Sequence, residues 1–115
     1  KIIKMESRPW GTYETLKQTC KFHSKEIIVK PNQRLSLQSH NKRSEHWIIV
    51  QGTAIVTLEG DEIRLCKNQH VYIPKQTKHR IMNIGEEDLI FVEVQLGDYF
   101  GEDDIIRHSD DYNRD

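Results

Sequence analysis

A chain of 115 residues with 36% apolar content can bury one hydrophobic core and is short for two domains. Lys and Arg (17) nearly cancel Asp and Glu (18), so the formal charge of −1 offers no broad field to gather nucleic acid or an anionic membrane. No run approaches the ~18 apolar residues of a membrane helix, and Lys1-Ile2-Ile3-Lys4 is too short and too charged for a signal peptide. The chain opens without Met, which sets the expectation of a fragment of something longer. Cys20 and Cys66 stand in no metal or redox spacing and are expected to be free thiols of a cytoplasmic protein.

Along the chain, period-two alternation broken by turn residues predicts strands, and helical periodicity is nearly absent. The expected strands are Tyr13–Thr19, Phe22–Lys30, Arg34–His40, Glu45–Val50, Ala54–Leu58, Glu62–Cys66, His70–Ile73, Lys78–Asn83 and Leu89–Gln95. The junctions Pro31-Asn32, Gln51-Gly52, Glu59-Gly60-Asp61, Lys67-Asn68-Gln69 and Gly85-Glu86-Glu87 have turn chemistry, and Glu59-Gly60-Asp61 reads as a tight hairpin. So many short strands predict an all-β sandwich or closed jelly-roll barrel over about residues 8–97. Residues 98–115 form an acidic, polar tail with one helical turn near Asp103–Ile106, draped over the barrel or frayed. Trp47, Ile48, Ile49 and Val50 are apolar on both strand faces, so the outside of that strand should be covered. The N-terminal strand, a second subunit or another domain could do so; a subunit or domain contact is the expectation.

Four donors stand out. Gln38 and His40 point the same way on one strand. A turn at Asn41–Ser44 brings Glu45 back at the start of the next strand, and a Pro74-led turn returns the chain near His79. Imidazole, carboxylate and amide oxygen suit a divalent first-row ion, and the lack of a thiolate argues against a closed structural zinc site.

The order His40, Glu45, Gly52, Pro74, His79, Asn83 resembles the two cupin motifs. Gln38 stands where most cupins have their first His, Gln76 where the second motif has Gly, and Asn32 at the opening Gly. The run Gln38-x-His40-x-x-Arg43-x-Glu45-His46-Trp47 is more specific. Together with Arg8-Pro9-Trp10-Gly11, Tyr72-Ile73-Pro74, Glu93-Val94-Gln95 and the stretch from Gly101 to Arg107, it resembles type II mannose-6-phosphate isomerase, from about Arg8 to Arg114.

That resemblance implies a cupin (a double-stranded β-helix) and an aldose–ketose isomerase of mannose 6-phosphate and fructose 6-phosphate, serving GDP-mannose and polysaccharide biosynthesis. It also implies fusion behind a mannose-1-phosphate guanylyltransferase, whose Gly-rich nucleotide signature does not occur among the six glycines here. Gln38, His40, Glu45 and His79 are then expected to hold zinc, with cobalt, manganese, nickel or iron as alternatives. Glu93, on one strand face with Leu89, Phe91 and Gln95, is the expected base, and His46 the alternative, although strand parity points it away. Arg43, Lys75, Lys78 and Arg107 are the expected cations for the sugar phosphate. A homodimer or packing on the upstream domain is the expected assembly. Two other readings fit the same residues: a module that binds metal and sugar phosphate without turnover, and an iron-dependent cupin oxygenase.

Overall fold

The computed structural model describes residues 5–112; Lys1–Lys4, and Arg114 at the end of the motif-bearing region, lie outside them. Eleven strands follow one another: β1 Met5–Arg8, β2 Gly11–Gln18, β3 Phe22–Val29, β4 Leu37–Ser39, β5 Arg43–Gln51, β6 Thr53–Leu58, β7 Asp61–Cys66, β8 His70–Ile73, β9 His79–Asn83, β10 Leu89–Gly97 and β11 Ile106–Ser109. A 3₁₀ turn at Glu102–Asp104 is the one helical element among the described residues, and no helix is long and apolar enough to cross a membrane. Cys20 and Cys66 are free and exposed.

All strand pairs are antiparallel. They build a six-stranded sheet in the order β1-β2-β3-β10-β5-β8 and a five-stranded sheet in the order β11-β4-β9-β6-β7. Trp10, Ile27, Val29, Trp47, Ile49, Ala54, Val56, Leu65, Ile73, Ile81, Leu89 and Phe91 form one buried core. Trp47 and Phe91 pack at 5.2 Å between ring centroids, and truncating such a ring to Ala costs about 3–5 kcal/mol.

Register makes this core two-ended. The inward residues of β5 run Arg43, Glu45, Trp47, Ile49, while those of antiparallel β10 run Leu89, Phe91, Glu93, Gln95. Pairing sets Phe91 opposite Ile49, Glu93 opposite Trp47 and Gln95 opposite Glu45. Apolar ends therefore meet apolar ends, and the charged ends collect at one mouth. His79 joins that mouth because β9 pairs it with Gln38.

Backbone conformation accounts for three of the turns. Glu59 (φ 47°) and Gly60 (φ 89°) both take positive φ between β6 and β7, the requirement of a tight type I′ hairpin. Asn32 (φ 65°) and Gln76 (φ 63°), which replace motif glycines, also lie in the left-handed region where glycine is least strained. Gly97 is needed for another reason: a Cβ there would lie 2.4 Å from the Lys42 carbonyl oxygen, where β10 passes the start of β5.

Three differences from the sequence reading stand out. β1 extends the larger sheet at its far edge by pairing with β2. β5 begins at Arg43, so Arg43 is a strand residue and not part of a turn. The tail contributes β11, which pairs with β4, so it continues the smaller sheet. Among the described residues the outer face of the larger sheet is uncovered, with Ile48, Val50, Tyr72 and Leu96 exposed.

Candidate metal centre and its cleft

Alternation on β5 and β9 turns Glu45 and His79 inward, and the residue after β4 brings His40 beside them; all three are buried. One ligand atom of each lies within 4.8 Å of the others. His40 Nδ1 faces the Asp104 carbonyl at 3.3 Å and His79 Nδ1 faces the Thr77 carbonyl at 2.8 Å. A carbonyl only accepts, so each proton belongs on Nδ1 and each Nε2 is left with its lone pair.

Those lone pairs point at an anion. His40 Nε2 is 3.2 Å from Glu45 Oε2, and His79 Nε2 is 3.7 Å from Glu45 Oε1. Arg43 Nη2, 3.4 Å from His40 Nε2, offers that nitrogen one donor, whereas His79 Nε2 and Glu45 Oε1 are acceptors facing each other, and the donor set as a whole fits a divalent ion. Although burial opposes its charge, His40 and His79 in their protonated forms, with the Arg43 guanidinium, hold the Glu45 carboxyl well below the usual carboxylate range, and an ion between them would act in the same direction. Burial lowers the basicity of His79, which favours the neutral imidazole that ligation needs. Gln38 lines the same cleft, and its Nε2 donates to Ser36 Oγ at 2.8 Å, leaving the amide oxygen for an ion.

Glu93 is buried on the neighbouring strand. Trp47 Nε1 is 3.0 Å from Glu93 Oε2 and 3.2 Å from Glu45 Oε1, so one indole N–H bridges the two carboxylates. Gln95 Nε2 donates to Glu93 Oε1 at 2.6 Å. Burial and then the Glu45 charge push the Glu93 carboxyl up to about 7.

The remaining expected site residues divide. Arg43 is buried within the ligand cluster, its Nε 3.0 Å from Glu45 Oε2, so it neutralises Glu45 instead of standing at the mouth. Arg107 lines the cleft. Lys75 and Lys78 are exposed and outside the lining, because the turn after Ile73 carries them to the outer rim. His46 is on the outer face, its ring 4.7 Å from that of Tyr72, as strand parity requires, and has no place in the cleft. Sequence reasoning missed Arg8, Lys25 and Arg80, which also line the cleft. Lys25 was open to discovery, since it shares the inward face of β3 with Ile27 and Val29; Arg8 and Arg80 depend on how distant strands meet.

Residues 2–110 match the family model described as Mannose-6-phosphate isomerase C-terminal. The chain is 50% identical over 107 residues to the alginate biosynthesis protein AlgA of Pseudomonas aeruginosa, covering 93% of this chain and 22% of that protein. It is 47% identical over 107 residues to a mannose-1-phosphate guanylyltransferase of Salmonella montevideo, covering 93% and 23% respectively. The chain thus spans under a quarter of the length of these curated relatives. Among solved structures, a variant of Bacillus subtilis oxalate decarboxylase OxdC superposes with a TM-score of 0.79 at 18% identity, covering 91% of this chain and 30% of that one. That likeness shows the fold, a cupin double-stranded β-helix.

Proposed function

The chain belongs to the mannose-6-phosphate isomerase C-terminal family, and from that premise we propose that it interconverts mannose 6-phosphate and fructose 6-phosphate with a bound divalent ion. The observation that most supports this reading is the position of Glu93: a buried carboxyl one indole N–H away from the His40–Glu45–His79 cluster.

The reaction moves a proton between C1 and C2 of the open-chain sugar through an enediol, while a second proton passes between O2 and O1. His40, His79 and Glu45, with Gln38 beside them, would hold an ion of the zinc type, which when bound would supply Lewis-acid stabilisation of negative charge on the sugar oxygens, worth several kcal/mol. Glu93 takes the proton from one carbon and returns it to the other. A group half-protonated near pH 7 serves as base and acid alike, and such a group contributes roughly 10²–10⁴-fold. Trp47 and Gln95, bonded to one carboxylate oxygen each, fix the direction in which Glu93 presents its remaining lone pairs. Trp10, Ile27 and Leu35 give the cleft an apolar wall that shields the carbanion-like state from water.

We place the chain as the isomerase portion of a longer cytoplasmic enzyme of GDP-mannose and polysaccharide biosynthesis, behind a guanylyltransferase portion; the relatives' greater length and their names support this setting. The exposed strip of Ile48, Val50, Tyr72 and Leu96 supports an interface there with a second subunit or the upstream portion.

The test is a coupled assay for fructose 6-phosphate formation by this chain with added Zn²⁺, Co²⁺, Mn²⁺ or Ni²⁺. Turnover should appear with at least one ion, vanish on chelation and return on re-addition. Stoichiometric ion binding without any fructose 6-phosphate would leave a non-catalytic binding module, and oxygen uptake with Fe²⁺ would mark an oxygenase.

A further inference from the structure

Most cations of the cleft are already engaged. Arg43 is bound to Glu45 at 3.0 Å, Lys25 Nζ lies 4.4 Å from the centre of the Tyr13 ring, and Arg80 donates to the carbonyls of Leu35 and Ser109. Arg107 differs, while Arg8 is held by side chains that an anionic ligand could replace. Arg107 lines the cleft from β11, and its Nε is buried without a hydrogen-bond partner among the described residues. Leaving a charged donor so placed is costly, which marks it as waiting for an acceptor.

Arg8 stands elsewhere on the cleft wall in a crowd of anions. Its NH2 group is 3.1 Å from Tyr13 Oη, 3.5 Å from Glu102 Oε1 and 3.7 Å from Glu6 Oε1. Tyr13 has one hydroxyl proton and two carboxylates to receive it, Glu6 at 2.9 Å and Glu102 at 3.3 Å. Glu102 is the more loosely held of the two, at the longer distance and with its side chain 60% exposed. It precedes Arg107 by five residues on the segment that closes the cleft.

We infer that Arg8 and Arg107 clamp the phosphate group of the sugar phosphate, and that Glu102 holds the anion position at Arg8 and Tyr13 until the phosphate displaces it. Guanidinium groups suit this task because their planar donors match phosphate oxygens in pairs. The identity of the ligand rests on the isomerase reading; the anion site and its internal competitor rest on the geometry alone.

Inorganic phosphate titrated calorimetrically into the metal-free and zinc-loaded chain tests this. Glu102→Gln should tighten phosphate about two- to fivefold, the scale of an exposed ion pair. Arg107→Met and Arg8→Met should each weaken it about tenfold or more. If Arg107→Met loses its melting transition, the Glu102 and Arg8 variants carry the decision. Unchanged or weaker binding in Glu102→Gln overturns the inference, as do wild-type affinities in the arginine variants. Phosphate binding that survives in every variant and disappears only on chelation places the anion on the metal and also overturns it. The expected pattern without isomerisation by any metal form would keep the clamp and remove the isomerase reading. Isomerisation with an unchanged KM in all three variants would do the reverse.

Discussion

The candidate ligand imidazoles and the imidazole of His23 differ in what each Nδ1 meets. His40 and His79 each set it against a backbone carbonyl, which frees Nε2 for an ion. His23 is buried too, but its Nδ1 has no partner among the described residues, and Nε2 lies 3.0 Å from Thr15 Oγ1. Burial, then the charges of Lys25 and Arg43, lower its pKa from 6.5 to about 4. With the folded value below the unfolded one, protonation favours the unfolded chain. The contribution to stability is therefore full above pH 6.5 and declines as pH falls from there towards 4. Urea midpoints of the metal-free chain should drop more between pH 7.5 and 4.5 in wild type than in His23→Gln; equal drops would contradict this. At this scale the sequence was legible where parity alone decides: Glu45 and Glu93 inward, His46 outward. It misled at Arg43, because the strand begins two residues earlier than alternation suggested and draws the guanidinium inside.

The segment from the 3₁₀ turn to β11 is held in place by non-local contacts. Ile106-Arg107-His108-Ser109 carries one apolar residue and looks like polar tail, yet it pairs with the three residues of β4. Buried Asp104 explains the anchoring: its carboxylate accepts from the backbone N–H groups of Asn41 (3.1 Å) and Lys42 (3.0 Å). Its own carbonyl holds His40. The ligand loop is thus tied by a residue far along the chain, a relation no local pattern encodes. Asp104→Ala should cost about 1.5–3 kcal/mol, as expected for hydrogen bonds to a charged group. It should also weaken zinc about tenfold or more, as losing support behind a ligand does. Denaturation and chelator competition check the two effects, and an unchanged zinc affinity would separate the tail from the site.

For the whole molecule, the decisive feature is the antiparallel register that gathers polar strand ends at one mouth. A formal charge of −1 conceals it, because the five cations lining the cleft come from five strands. An all-β sandwich or barrel was legible in the strand and turn pattern, and the order of His40, Glu45, Gly52, Pro74 and His79 carried the resemblance to cupins; the composition of the cleft wall was not legible, since it follows from which strands become neighbours. Because this mouth buries Glu45 against two imidazole lone pairs, ion binding should stabilise the fold. Zinc at about a hundred times its Kd contributes about 2.7 kcal/mol, which for a domain of this size raises Tm by roughly 10 °C. Scanning calorimetry with zinc and with chelator measures the shift. Identical melting in both would argue against a site in this cluster.

Glu93 carries the central claim, and its replacement by Gln is nearly isosteric, keeping a side-chain amide within reach of Trp47 and Gln95. The most direct measurement is isomerisation of mannose 6-phosphate by zinc-loaded wild type and Glu93→Gln in deuterated water, following both the rate and deuterium at the carbon that receives the proton. Glu93→Gln should run about a hundredfold or more slower at full zinc content, and deuterium should enter that carbon in wild type only in the fraction of turnovers in which the Glu93 proton exchanges with solvent before it is returned. A Glu93→Gln protein that isomerises at the wild-type rate with its zinc in place would contradict it.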